Sequence, residues 1–188
     1  MQIDQSWTLF LDRDGVLNKR IPDAYINHWD DFRFAQGLPA SLKYLRDQFG
    51  KIIIVTNQQG IGKGIMTERQ LGKIHKKMLT LLADVEVSID GVYVSPDLKS
   101  KKPNTRKPDP AMGFMAKADF PEIDFEKSIM VGDSISDLEF GRNLGMKTVL
   151  ITSKKDESHL WEAHQDDWDF KFESLAAFST FMKQKQNG

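Results

Sequence analysis

Asp12 and Asp14 stand with one residue between them directly after Thr8-Leu9-Phe10-Leu11, and Gly15 follows them. The apolar run reads as a short buried strand. Residues two apart on an extended chain point the same way, so both carboxylates can face a crevice beyond the strand's carboxyl end. Two close carboxylates repel one another. Such a pair suits a shared proton, a divalent cation completed by a third oxygen ligand, or a nucleophile with a proton donor beside it. Asp and Gly are also ordinary turn formers, so the pair gains chemical meaning only from its company. Thr56 and Asn57 follow the β-branched run Lys51-Ile52-Ile53-Ile54-Val55, Lys107 closes a basic loop, and Asp133 and Asp137 follow Ile129-Met130-Val131-Gly132. Taken singly, these too have bland readings: helix-dipole acids, a β-branched strand residue, a turn-forming Asn, a solvated basic surface. Together they suit phosphoryl transfer. A carboxylate attacks phosphorus, a cation and a lysine neutralise spreading charge, and a hydroxyl and backbone N–H groups hold the equatorial oxygens.

The groups meet only if the chain brings several strand ends to one edge, and the hydrophobic pattern provides for that. Leu38, Leu42, Leu45 and Phe49 recur at helical spacing before Gly50, completing a first α/β unit. The run from Lys51 to Val55 has the pattern of a central parallel strand covered on both faces. Thr67 and Gln70 form a capping box for a helix to about Leu82, after a loop carrying Gly60, Gly62 and Gly64. Ile89 to Val94 reads as a third strand broken by Ser95-Pro96, and Asp109-Pro110 as an N-cap and first helical residue. Ile129 to Gly132 is a fourth strand, followed by a helix through about Leu144 with Gly145 at its end, and Thr148 to Ile151 is a fifth. The remainder, with Trp161, Phe170 and a helix over Ser174 to Lys185, closes the sheet edge and packs beneath it. Alternation of this kind predicts an α/β fold with a doubly wound, mostly parallel sheet. In such sheets the strand ends gather where ligands bind.

Size and composition narrow the function. A chain of 188 residues suits a single domain over 1–188, and 40% apolar with 28% charged residues is ordinary for a soluble globular protein. No apolar run is long enough for a membrane span, and Met1 to Trp7 carries Asp4 without a basic or apolar leader, so a cytoplasmic protein is expected. Zero cysteines exclude disulfides, thiol catalysis and thiolate metal sites. A formal charge of −1 offers no global attraction to nucleic acid or anionic lipid, and no obligate protein partner is evident. His28, His75, His159 and His164 show no metal-ligand spacing and are assigned no role. Trp29, Phe32 and Phe34 lie near the first loop, Asn18 to Phe34, which folds over the crevice; they read as core beneath it, with stacking on a substrate the alternative.

The four clusters, in their order along the chain, resemble the motifs of the haloacid dehalogenase superfamily of phosphohydrolases. Asp12-Arg13-Asp14-Gly15 looks like its first motif, Val55-Thr56-Asn57 its second, Lys107-Pro108 its third and Gly132-Asp133-Ser134-Ile135-Ser136-Asp137 its fourth, so the resemblance spans about Leu9 to Ile151. It implies that Asp12 is the nucleophile of an aspartyl-phosphate intermediate and that Asp14 protonates the leaving group and later activates water. It also implies Mg²⁺ held by Asp12, Asp133 and the Asp14 backbone carbonyl, with Thr56 and Lys107 on the phosphate. Asn57 and Arg106 are further candidate substrate contacts, and Asp137 is a candidate for orienting its neighbours.

Within that superfamily the segments Asp12 to Asn18, Thr56 to Ile61 and Arg106 to Pro110 resemble the branch of histidinol phosphatases and D,D-heptose 1,7-bisphosphate phosphatases. That branch is usually capless, and the spacings from Asp14 to Thr56 and from Thr56 to Lys107 leave no room for a separate cap domain. Many of its members carry a zinc loop of cysteines and a histidine before the third motif. Here Ser95 to Lys107 contains neither, so no structural zinc is expected.

The resulting expectation is a Mg²⁺-dependent phosphatase for a small phosphorylated metabolite, a sugar phosphate or bisphosphate such as D,D-heptose 1,7-bisphosphate. Histidinol phosphate is an alternative substrate. A polynucleotide 3′-phosphatase is another reading, because a capless site with a basic loop can admit a strand end, although near-neutral charge argues against nucleic acid. A receiver-like phosphoacceptor switch is the non-enzymatic alternative, but such domains place their acceptor after a middle strand. The loop at Lys99, Lys101, Lys102 and Arg106 is where substrate choice would be read.

Overall fold

The computed structural model describes residues 3–21, 24–154 and 158–186. Six strands form one sheet: β1 (Thr8–Leu11), β2 (Lys51–Asn57), β3 (Gly91–Ser95), β4 (Ser128–Gly132), β5 (Lys147–Ile151) and β6 (Phe170–Phe172). Their order is β3-β2-β1-β4-β5-β6 and every pairing is parallel. The segment with Phe170 closes the sheet edge as expected, as a three-residue strand too short for periodicity to show, paired with β5 and packed through Phe170 and Phe172 on Phe181 of the last helix. β3 begins two residues later than expected and ends level with Asn57, where Ser95 pairs with it.

Alternation along each strand divides the core between the two faces. Leu9, Leu11, Ile52, Ile54, Ile129, Val131, Val149 and Ile151 pack on one side with α1 (Leu38–Gln48), α2 (Glu68–Ala83) and α6 (Leu175–Gln186). Phe10, Ile53, Val55 and Met130 pack on the other with α3 (Ala111–Asp119) and α4 (Ile135–Asn143). Leu150 also faces that side, over Ile135 and Leu138, while α5 (Ser158–Trp161) contributes Trp161 at its margin. A sheet covered on both faces explains why its strands read as continuous apolar runs rather than half-polar ones.

The local signals act as their chemistry dictates. Thr67 Oγ1 accepts from Gln70 N at 3.2 Å while Gln70 Oε1 accepts from Thr67 N at 2.8 Å, starting α2. Gly145, at φ +76, ends the turn after α4. Helix α3 starts one residue later than expected, with Asp109 Oδ1 accepting from Ala111 N at 2.9 Å across Pro110. Of the first loop, Pro22 lies outside the described residues. Phe32 is buried in the core, with Trp29 stacked on it at 4.8 Å and Phe34 edge-on at 5.2 Å, so these rings support the loop from below. No helix among the described residues is long and apolar enough to cross a membrane.

Candidate active site

The reversal of strand order between β1 and its neighbours opens a cleft at the carboxyl ends of β1, β2 and β4, of about 420 Å³, lined by Asp12, Asp14, Asn57, Arg106, Lys107, Asp133 and Asp137 among others. Asp12 extends the β1 ladder, its N–H donating to Val131 O at 2.9 Å, so the first carboxylate is fixed by backbone. Asp133 follows β4 on the adjacent strand end. Gly15 lets the two elements close: at φ +91, a Cβ there would lie 1.9 Å from Asp133 Oδ2. Gly132 does the same for α4, where a Cβ would meet Asp137 Cβ at 2.1 Å.

Lys107 is buried at the floor of this cleft, 1% exposed, and ties three elements together. Its Nζ donates to Asp12 Oδ1 at 2.7 Å and to Val55 O at 2.7 Å, and stands 2.6 Å from Asp137 Oδ1. Burial would lower the lysine's affinity for its proton, but Asp12 and Asp137 outweigh it and raise it. The other oxygen of Asp137 accepts from the N–H groups of Asp133 and Ser134 and from Ser134 Oγ, capping α4. Both its oxygens are therefore engaged, one in the lysine and one in the helix start. Asn57 is also committed: Oδ1 accepts from Lys107 N at 2.9 Å and Nδ2 donates to Lys107 O at 3.1 Å, a clamp on the backbone that presents the lysine. Thr56 is buried, its Oγ1 accepting from Gln58 Nε2 at 2.9 Å.

The two leading carboxylates differ sharply in environment. Asp12 is pushed up to about 7, first by burial and then by Asp137 and Asp14, against the pull of Lys107. Asp133 is raised well above the usual carboxylate range by burial and by Asp12 and Asp137, although Ser153 Oγ donates to its Oδ2 at 2.9 Å. Burial acts on Asp14 as well, but Arg13, Asn18 and Gln58 overcome it and hold its carboxyl below the ordinary value. Arg13 Nη2 donates to both Asp14 oxygens at 2.9 and 2.7 Å, Asn18 Nδ2 to Oδ1 at 2.9 Å and Gln58 Nε2 to Oδ2 at 2.8 Å.

Oxygens of Asp12, Asp133 and Asp137 lie within 4.8 Å of one another, all three residues buried. Burial first, and then the mutual repulsion of three carboxylates around one ammonium, makes Asp12 and Asp133 bind protons readily and leaves the cluster short of positive charge. A hard divalent cation on the oxygens of Asp12 and Asp133 would supply what the cluster lacks, so the residues fit such an ion.

Cations line the same cleft. Arg106, Arg20, Lys63 and Lys154 line it, with Tyr25 and Gln59. Arg106 Nη1 donates to Gln59 Oε1 at 3.1 Å, and Lys63 Nζ sits 5.4 Å from the Tyr25 ring centroid. Lys99, Lys101 and Lys102 are exposed and do not line the cleft. Their loop is tied instead by Asp97, which accepts from Thr105 N at 2.8 Å and Thr105 Oγ1 at 3.1 Å and pairs with Lys101 at 3.4 Å. Sequence reasoning missed Arg20, Lys63 and Lys154. Lys154 had a signal, its position just beyond β5, whereas the placing of Arg20 and Lys63 depends on how two loops fold back over the cleft.

Comparison with known proteins agrees with this architecture. Residues 9–172 match the family model for Polynucleotide kinase 3 phosphatase. The D-glycero-alpha-D-manno-heptose-1,7-bisphosphate 7-phosphatase of Mycobacterium tuberculosis is 40% identical over 138 residues, 73% of each chain. Its counterpart in Campylobacter jejuni is 32% identical over 177 residues, 94% of this chain and 96% of that one. The crystal structure of D,D-heptose 1,7-bisphosphate phosphatase from B. bronchiseptica, complexed with magnesium and phosphate, superposes with a TM-score of 0.85 at 25% identity, covering 95% of this chain and 99% of that one. The chain belongs to the Polynucleotide kinase 3 phosphatase family and is a phosphatase of the haloacid dehalogenase superfamily, in the branch of the heptose bisphosphate phosphatases.

Proposed function

We propose that the protein hydrolyses the 7-phosphate of a D-glycero-D-manno-heptose 1,7-bisphosphate through an aspartyl-phosphate on Asp12, with Mg²⁺ as cofactor. The observation that carries the bisphosphate reading is the charge arrangement: a carboxylate cluster with a buried lysine, suited to one phosphoryl group, shares its cleft with Arg20, Lys63, Arg106 and Lys154, which suit a second. The names of the relatives and the magnesium and phosphate of the B. bronchiseptica protein point the same way.

In this reading Asp12 attacks phosphorus while Lys107, held on its other side by Asp137, balances charge on the transferring group. Asp12, Asp133 and the Asp14 backbone carbonyl would hold the ion, whose contribution is to neutralise the phosphoryl oxygens. Asp14 gives a proton to the departing sugar oxygen, then takes one from the water that opens the acyl phosphate. Its contact with Arg13 favours the carboxylate, the form required in the second step. A phosphate dianion entering the cleft opposes that preference and raises the carboxyl's proton affinity for the first. Thr56 and the backbone beside it hold phosphoryl oxygens, Asn57 serves by fixing Lys107, and Arg106 grips the far end of the substrate. The unit acts as a single domain over 1–188, in the cytoplasm, on a small sugar phosphate, without an obligate protein, membrane or nucleic-acid partner and without structural zinc.

Phosphate release should be measured with Mg²⁺ on both anomers of the heptose 1,7-bisphosphate, the heptose 7-phosphate, histidinol phosphate and a 3′-phosphorylated oligonucleotide. The reading expects the bisphosphate to have the highest kcat/KM. Because the matching family model is that of Polynucleotide kinase 3 phosphatase, a preference for the oligonucleotide that falls steeply with salt would replace it.

A further inference from the structure

Arg13 and His75 form a buried pair behind the acid–base carboxylate. The Arg13 side chain is fully buried and makes contacts in two directions: Nη2 grips both oxygens of Asp14, and Nη1 lies 3.1 Å from His75 Nε2. A guanidinium has no acceptor, so His75 Nε2 must be the unprotonated nitrogen and the ring proton must sit on Nδ1. His75 lies on the inward face of α2 with Leu71, Ile74, Met78 and Leu82, a row otherwise apolar. Burial and the neighbouring Arg13 push the imidazole down to about 4, so it stays a neutral acceptor at working pH.

Asp14 alone would leave the guanidinium held at one end. Nε, at 3.3 Å from Asp14 Oδ1, and Nη2 meet the carboxylate along one edge; a second acceptor at Nη1 anchors the far side and keeps the guanidinium, and with it the Asp14 carboxylate that lines the cleft, from swinging. We propose that His75 is a positioning residue for proton transfer: by accepting from Arg13 it holds the guanidinium that orients Asp14 toward the leaving oxygen. The inference rests on Asp14 being the acid–base group proposed above. It gives the imidazole a task in catalysis without contact with substrate.

The test compares His75→Asn, whose amide is too short to reach Nη1, with His75→Gln, whose carbonyl can take the place of Nε2. His75 borders a second cleft with Leu71 and Val94, so truncation there does not leave a sealed void and both variants can be checked for a native melting profile. The rate of phospho-enzyme formation is measured by rapid quench on p-nitrophenyl phosphate and on phenyl phosphate, whose leaving phenolate is far more basic and depends on the acid. His75→Asn should lose about tenfold on phenyl phosphate, little on p-nitrophenyl phosphate, and leave KM unchanged. His75→Gln should recover most of the loss. Equal losses on both substrates, no loss at all, or a Gln variant as poor as the Asn variant would overturn the proposal in favour of simple packing. If His75→Asn does not fold, a selective loss on phenyl phosphate in His75→Gln would overturn it as well, and wild-type selectivity in that variant beside a tenfold loss in His75→Phe would support it. Asp14→Asn in the same assay keeps the two readings apart. If it shows the leaving-group contrast and His75→Asn does not, only the positioning role fails; if it loses equally on both substrates, the acid–base assignment itself fails.

Discussion

Replacing Lys107 by Met removes an ammonium while keeping the length and bulk of its stem, so it isolates the electrostatic role of the residue. The ammonium is buried, with Asp12 and Asp137 both within hydrogen-bonding distance and Asp133 close behind them. Removing one partner of a buried ion pair costs about 3–5 kcal/mol, and in a chain of this length each kcal/mol lowers Tm by about 2–4 °C, so a loss of roughly 10 °C is expected. The loss should depend on pH in a defined direction. The lysine's own proton affinity is raised, so its contribution is complete below the ordinary lysine range and disappears only as pH rises through the folded value. Its own titration therefore adds no pH dependence between about pH 5 and pH 8. The carboxylates are what change. Asp12, raised to about 7, gives stability that is present below its unfolded value and lost as pH rises through the folded one, and the same sign holds for Asp133. Without the ammonium Asp12 rises further, so the variant loses more than wild type on going from acid to neutral pH. Melting curves of wild type and Lys107→Met in EDTA at about pH 5 and about pH 8 should show the larger deficit at the higher pH. A deficit below about 3 °C, or one no larger at pH 8, would refute the charge accounting. Turnover with Mg²⁺ should fall by about 10²–10³ in the same variant.

Other outcomes follow from single contacts. Asp133→Ala should raise the Mg²⁺ concentration needed for half-maximal activity by at least tenfold while sparing the saturated KM for substrate; an unchanged Mg²⁺ requirement would remove Asp133 from the ion site. Arg106→Ala should raise KM for the bisphosphate far more than for the matching monophosphate, and an unchanged preference between the two would take Arg106 out of the distal contact. Gly15→Ala places a methyl group on the Asp133 carboxylate at a positive φ, so loss of activity together with a Tm drop is expected, and a variant with both intact would contradict the close approach.

Much of this site was legible in the sequence because its parts are local. Asp12 is two residues from Asp14, the β-branched run before Thr56 marks a covered strand, and the capping pair Thr67 and Gln70 needs only its own turn. What was not legible depends on distance. Arg13 reads as the residue between two acids, and nothing near it says that its guanidinium will be wholly buried against a histidine 62 positions later. His75 then looks like a stray polar group on an apolar helix face. Asn57 reads as a turn former, whereas its amide holds the backbone of a residue 50 positions on. Lys99, Lys101 and Lys102 carry the strongest charge signal in their loop and lie outside the cleft, while Asp97, just before them, anchors the loop. The edge strand β6 is three residues long, too short for its Phe-Lys-Phe alternation to stand out before its pairing with β5 is known.

The central claim, that Asp12 carries the phosphoryl group, can be tested by quenching the enzyme with acid during turnover of the heptose bisphosphate and reducing the trapped acyl phosphate with borohydride, which converts a phosphorylated aspartate to homoserine. Peptide mass spectrometry should place homoserine at position 12, with the yield falling to zero in Asp12→Asn. Homoserine at position 14, 133 or 137, or phosphate release with no reducible intermediate at any position, would contradict the account.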